Sequence, residues 1–165
     1  MRFSLEVAHH SHIFHRGHLS RVVNEYGETG VITEWGYYKS WVHENAIHEE
    51  DRGHPSSGAY IFRPDIPDST LQTLKPIPAE TRVFESDILT EVHTSFEGKW
   101  IHQVTKVYHN ENYIDIDFTV GPIPILDDIG KEVVNRFRTS IQNKGVFFTD
   151  SNGREFLRRQ RSSRP

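Results

Sequence analysis

From residue 31 onward, short apolar runs alternate with polar breaks at a spacing of roughly 8–15 residues, the pattern of an antiparallel β-protein. Val31-Ile-Thr-Glu-Trp-Gly-Tyr-Tyr-Lys-Ser-Trp-Val42 is dense in β-branched and aromatic residues and predicts a strand. Period-2 alternation puts Trp35, Tyr37 and Lys39 on one face and Gly36, Tyr38 and Ser40 on the other. Residues 43–56 are charged and predict a loop, and Ser57-Gly-Ala-Tyr-Ile-Phe-Arg-Pro64 predicts a short apolar strand closed by proline. Residues 64–79 hold prolines 64, 67, 76 and 78, which cannot donate to a ladder, so this stretch predicts a loop.

The second half has the clearer periodicity. Strands are expected over 81–94 and 99–108, with a turn at Glu97-Gly98. Tyr113–Val120 alternates, with Ile114, Ile116, Phe118 and Val120 on an apolar face and Asp115, Asp117 and Thr119 on a polar one. Gly121-Pro-Ile-Pro124 ends that strand. Two more are expected at 132–139 and 145–149, the second followed by an Asp150-Ser-Asn-Gly153 turn. Helical periodicity is weak throughout, with a trace only around 131–138. Residues 1–30 are polar and His-rich and are placed on no regular element. The fold class that results is mainly β, an antiparallel β-sandwich that is incomplete.

Composition changes this picture little. The chain has 165 residues, one domain's worth, with a formal net charge of -4. That charge does not suit a nucleic-acid partner, and no apolar run approaches the roughly 20 residues of a membrane span. There is no cysteine, which removes disulfides, thiolate nucleophiles and cysteine zinc sites. No signal-peptide core and no Asn-x-Ser/Thr sequon is visible. Five arginines, 154, 158, 159, 161 and 164, crowd the C-terminus.

Several groups invite a chemical reading. His9, His10, His12, His15 and His18 have the residue type of a metal site, but no carboxylate completes a second shell and Arg16 interrupts them, so no metal ligand is assigned. Asp115 and Asp117 share a strand face as a glycosidase pair would, yet an amphipathic strand explains them. Asp127-Asp128 reads as loop chemistry, and Asp150, Asn152 and Gly153 as a turn. Trp35, Tyr37, Tyr38, Trp41 and Tyr60 could stack on pyranose rings, though the core of a sandwich accounts for most of them. No phosphate loop, serine elbow or HExxH pattern occurs.

Three stretches go beyond composition: Ser57–Pro64 above; Thr119-Val-Gly-Pro-Ile-Pro124 with Gly130-Lys-Glu-Val-Val134; and Phe148-Thr-Asp-Ser-Asn-Gly-Arg-Glu-Phe156. In this order and spacing they resemble the β-rich region behind the catalytic barrel of lysosomal and vacuolar α-mannosidases of glycoside hydrolase family 38, over about residues 31–159. Trp100-Ile-His-Gln-Val-Thr-Lys-Val-Tyr108 fits the same region. The resemblance implies a segment of a galactose-mutarotase-like supersandwich. It implies an enzyme that hydrolyses terminal α-D-mannose by a retaining double displacement, with one zinc ion. Nucleophile and zinc ligands are expected from the barrel and the stretch after it, so no catalytic residue and no cofactor is assigned to this chain. By position the resemblance brings Arg159, with Arg158 as its alternative, near the sugar pocket. Such an arginine could hydrogen-bond sugar hydroxyls or steady a carboxylate; a solvated basic tail is the plain alternative.

The organisation expected is therefore an unassigned His-rich segment at 1–30, a sandwich segment at 31–159 and a basic tail at 160–165. The partner expected is the catalytic barrel of a parent enzyme, with a mannose-containing glycan as the ligand and the lysosome or vacuole as the location. The competing expectation is a non-catalytic carbohydrate-binding or interaction module. A sandwich lacking its neighbours should also expose strand edges and apolar patches.

Overall fold

A computed structural model describes residues 2–7, 10–15, 18–24, 27–41, 56–58, 60–65, 70–111 and 113–161. Among the described residues, twelve strands and one 3-10 turn, Pro78–Glu80, make up the regular structure. The first sheet holds β1 (Arg2–Val7), β2 (His10–His15), β3 (His18–Asn24), β4 (Gly27–Lys39) and β10 (Lys131–Thr139), in that spatial order. The short β5 (Gln72–Leu74) also pairs with β4. The second sheet is a meander of β6 (Arg82–Glu85), β7 (Leu89–Ser95), β8 (Ile101–Tyr108) and β9 (Ile114–Val120). A separate hairpin joins β11 (Val146–Asp150) to β12 (Phe156–Gln160). Every pairing is antiparallel.

The two large sheets face each other as the layers of a sandwich. One end of the core brings Leu19 of β3 and Val31 of β4 against Val92 and Val107 of the second sheet. The other end packs Trp35 of β4 with Phe96, Trp100 and Ile101, and Leu74, Val120 and Val133 lean on that group. Alternation explains the division. Along β7 the buried residues are Thr90, Val92 and Thr94, and along β8 they are Ile101, Gln103, Thr105 and Val107, so one face of each strand turns inward. That inner face is half polar, and Gln103 ties it to the other layer. The Trp35 indole N–H donates to Gln103 Oε1 at 2.8 Å, and Gln103 Nε2 donates to Thr105 Oγ1 at 3.0 Å. A buried donor left without such a partner would be costly.

Local chemistry makes the turns. Between β6 and β7, the Ser86 hydroxyl accepts from the backbone of Ile88 and Leu89 and donates to the Leu89 carbonyl. Between β7 and β8, Gly98 sits at φ 82°, and a Cβ there would lie 2.7 Å from the Trp100 ring. Glycine is therefore required on both counts. The loop from Gly121 to Gly130 is held by Lys131, whose side chain is 4% exposed. Its ammonium reaches Pro124 O, Ile129 O and the Asp127 carboxylate at 2.8–3.0 Å.

Five sequence expectations need correction. Ser57–Pro64 is not a strand: the Ser57 hydroxyl donates to Arg63 O and accepts from Arg63 N, which curls the segment into a loop against the end of β4. Only Pro64 bridges to Ser40. The proline-rich stretch contains β5, because its prolines flank Gln72–Leu74 rather than interrupt it. Residues 81–94 are two strands divided by the Ser86 turn. Residues before 31, assigned to no element, carry β1, β2, β3 and the start of β4. The strand expected at 31–42 begins earlier, at Gly27. The strands at 99–108, 113–120, 132–139 and 145–149 lie within a residue or two of where alternation put them. The trace of helical period at 131–138 falls on β10.

Candidate functional site

The two arginines singled out by resemblance stand on β12. Register pairs Phe147 with Arg159 and Phe148 with Arg158, so the two guanidiniums leave opposite faces of the hairpin. Arg159 Nε donates to Thr149 Oγ1 at 2.9 Å, a diagonal contact that lays this side chain along the hairpin. Arg158 shares its face with Phe148 and Phe156, which are 63% and 81% exposed. The Asp150–Gly153 turn closes the hairpin, with Gly153 N donating to Asp150 Oδ2 at 2.8 Å and Asn152 and Gly153 at positive φ. The hairpin thus presents aromatic and cationic groups on both faces, and among the described residues no third strand pairs with it.

The other candidates resolve into structure. Asp117 is ion-paired to Lys106, and Asp115 stands opposite Lys106 in register, so an ammonium engages one of the two carboxylates and they are not paired for acid–base work. That contact raises the Lys106 pKa, the Asp117 hydrogen bond being the chief cause. Asp127 holds the loop through Lys131 and Ile129 N, and the Lys131 hydrogen bond draws its carboxyl below the ordinary aspartate range. Trp35 and Trp41 are buried at 2% exposure, Tyr37 tilts against Trp100 with 5.9 Å between ring centroids, and Tyr38 is half-buried. These four belong to the body of the sandwich; only Tyr60 projects fully.

His18 is the member of the histidine group whose side chain falls within the described residues. Its Nδ1 lies 3.2 Å from Thr33 Oγ1 and its ring meets Phe96 edge-on at 5.6 Å. Elsewhere His93 binds Glu91, His102 binds Ser95 and the Lys99 carbonyl, and His109 binds Thr90 and the Asp87 carbonyl. Among the described residues no three His, Asp or Glu side chains converge on a point that could hold a metal ion. This donor set does not fit the zinc ion implied by resemblance, and no chemical step through zinc is derived for this chain.

A cluster that the sequence did not single out lies on the outer face of the second sheet. Register aligns Arg82, His93, Val104 and Asp117 across the four strands, with Ser95, His102 and Thr119 beside them. Of these, Arg82, His93, Ser95, His102 and Val104 frame, with Glu80, a depression of about 340 Å³. Lys99 pairs with Glu80 and, with the Ser95 hydroxyl, draws its carboxyl below the ordinary glutamate range. Ser95 Oγ stands 3.1 Å from His102 Nδ1. Phe84, 49% exposed and two residues from Arg82 on the same strand face, is not among the lining residues but meets the ring of His93, which is, with 4.9 Å between ring centroids. Alternation within each strand would have put these side chains on one face. Their meeting also needed the register, which no single strand encodes.

With the geometry in place, comparison with known proteins adds the following. The sequence model described as "Glycosyl hydrolases family 38 C-terminal domain" matches residues 12–165, including part of the His-rich segment. Lysosomal alpha-mannosidase of Mus musculus is 42% identical over 125 residues, 73% of this chain and 12% of that protein. The Homo sapiens protein of the same name is 40% identical over 125 residues, again 73% and 12%. Alpha-mannosidase of Canavalia ensiformis is 37% identical over 150 residues, 90% of this chain and 14% of its own length. The chain therefore spans only 12–14% of these curated relatives.

Proposed function

The chain belongs to the family 38 glycosyl hydrolases, within their C-terminal domain, and from that premise we propose that it is a β-sandwich segment of an α-mannosidase. Its task in this reading is to brace the domain that hydrolyses terminal α-D-mannose residues. Nucleophile and zinc ligands come from that domain, and the segment by itself is inactive. The location is that of the relatives named lysosomal, the lysosome or vacuole.

The observation that carries the reading is the match itself, about 40% identity to enzymes roughly eight times longer than the matched segment. Physical features support it. The candidate acids Asp117 and Asp127 are engaged with lysines rather than poised as a glycosidase pair, which needs two carboxyls facing one bond. Large apolar side chains stand exposed as though awaiting a neighbour. Within this reading Arg159, or Arg158 across the strand, is the side chain that reaches toward the sugar, with a guanidinium fork suited to paired hydroxyls or to a carboxylate.

The test is an assay of the purified chain on a chromogenic α-mannoside with added zinc. No turnover above the buffer rate is expected. Zinc-dependent turnover would overturn the scaffold role and return the chemistry to this chain.

A further inference from the structure

We propose that the depression on the outer face of the second sheet binds a neutral hexose unit of a glycan, with Arg82 as the principal hydrogen-bond donor and Phe84 as the stacking platform. The class of ligand rests on the family 38 reading above; the site rests on its own geometry. A volume of about 340 Å³ lies at the lower end of small-molecule sites. The two charged groups that line it balance, Arg82 against Glu80, so neither an anion nor a cation is favoured. Donors and acceptors lie side by side, which is what a ring bearing several hydroxyls requires.

The groups are held in place before any ligand arrives. Lys99, Glu80, Ser95 and His102 form a continuous chain of contacts, and His102 is anchored a second time on the Lys99 carbonyl. His93 is fixed by Glu91 at 2.9 Å and by the edge of Phe84. Strands carry most of these residues, so little ordering remains to oppose binding. Arg82 differs from its neighbours. It is the only arginine between residues 82 and 120, it is exposed, and its guanidinium makes no ion pair or side-chain hydrogen bond among the described residues. By contrast Arg21, Arg136 and Arg138 are tied to Glu28 and Glu34. A planar fork left open beside a half-exposed phenyl ring matches two adjacent hydroxyls and the apolar face of one pyranose.

Saturation-transfer NMR on the full chain tests this, with methyl α-D-mannoside and an α-linked mannobiose as probes and inorganic phosphate as the anionic control. Both sugars are expected to give saturable signals. Arg82→Ala and Arg82→Lys should each weaken binding by about tenfold, the Lys variant because it keeps the charge and loses the fork. Phe84→Ala should weaken it similarly, while Arg21→Ala, on the other sheet, should leave it unchanged. Absence of saturable sugar binding overturns the site, as does binding indifferent to Arg82 and Phe84. Phosphate binding that depends on Arg82 and excludes the sugar overturns it too, by making the site an anion site. Failure here leaves the family reading intact if the chain still associates with an α-mannosidase catalytic domain; loss of that association would count against the family reading alone.

Discussion

Trp35 shows what one residue contributes to this fold. Its ring fills the interior between the sheets, with Phe96 and Phe118 meeting it edge-on at 6.3 and 5.1 Å, and its N–H is satisfied by Gln103 from the opposite layer. Gln103→Leu should therefore destabilise the chain by about 1–3 kcal/mol, because the indole N–H is left buried without a partner. A thermal or urea midpoint reads this out, and an unchanged midpoint would remove the cross-layer bond from the account. Gly98→Ala should cost about 1–3 kcal/mol through the positive φ and the collision with Trp100. Much at this scale was legible beforehand. The Glu97-Gly98 turn, the Asp150–Gly153 turn and the core role of Trp35 follow from side-chain chemistry and alternation. Ser57–Pro64 misled because its apolar residues suggested a strand, while the serine hydroxyl that ties it into a loop leaves no periodic trace.

At the scale of elements, two lysines fasten loops to strands. Lys99 on the β7–β8 turn holds Glu80 of the 3-10 turn, and Lys131 at the start of β10 holds Asp127. Each lysine is the first cause of a lowered carboxyl pKa. A carboxyl lowered in the folded state adds stability that is present above its unfolded value and is lost as the pH falls through the folded one. Acidification below the ordinary carboxylate range should thus loosen both attachments, seen as faster amide exchange at residues 77–81 and 124–130. Lys131→Met should blunt the response in the second stretch at the cost of a looser loop. The effect at Glu80 should be the smaller and should fade with salt, since Lys99 is two-thirds exposed. If exchange in both stretches stayed flat across that range, the lysine attachments would carry no weight.

Elements also mark where sequence reading failed. β12 was missed because Phe156-Leu-Arg-Arg-Gln160 has the composition of a basic tail, and only its pairing with β11 makes it a strand. β3 was missed because Leu19 and Val22, the two that reach the core, are three residues apart and so break the period-2 pattern of a strand. The proposed role of Arg159 belongs to this scale as well. In a parent-length enzyme, its replacement by alanine should lower turnover of α-mannosides about tenfold or more while the thermal midpoint stays put, since its one described side-chain bond is the exposed contact to Thr149. A loss confined to Arg158→Ala would move the role across the strand.

The whole molecule is a sandwich with much of its apolar surface still turned outward. Among the described residues eight hydrophobic side chains are buried, while fifteen large ones are exposed, including Ile125, Leu126, Phe147, Phe148 and Phe156. Open edges remain at β6, β9 and β10. A chain of this kind should self-associate when isolated. Phe148→Ser with Phe156→Ser should shift sedimentation toward monomer, whereas a wild-type chain that stays monodisperse at high concentration would weaken the case for a missing neighbour. That neighbour is the centre of the account, and the most direct measurement is complementation. A family 38 α-mannosidase lacking the segment that aligns with residues 31–159 would be co-expressed with this chain, and its turnover of a chromogenic α-mannoside measured. Recovery of activity, with the two polypeptides co-eluting, is the predicted result. Turnover equally low with and without the chain, or co-elution that never occurs, would contradict the claim that this segment braces a catalytic domain.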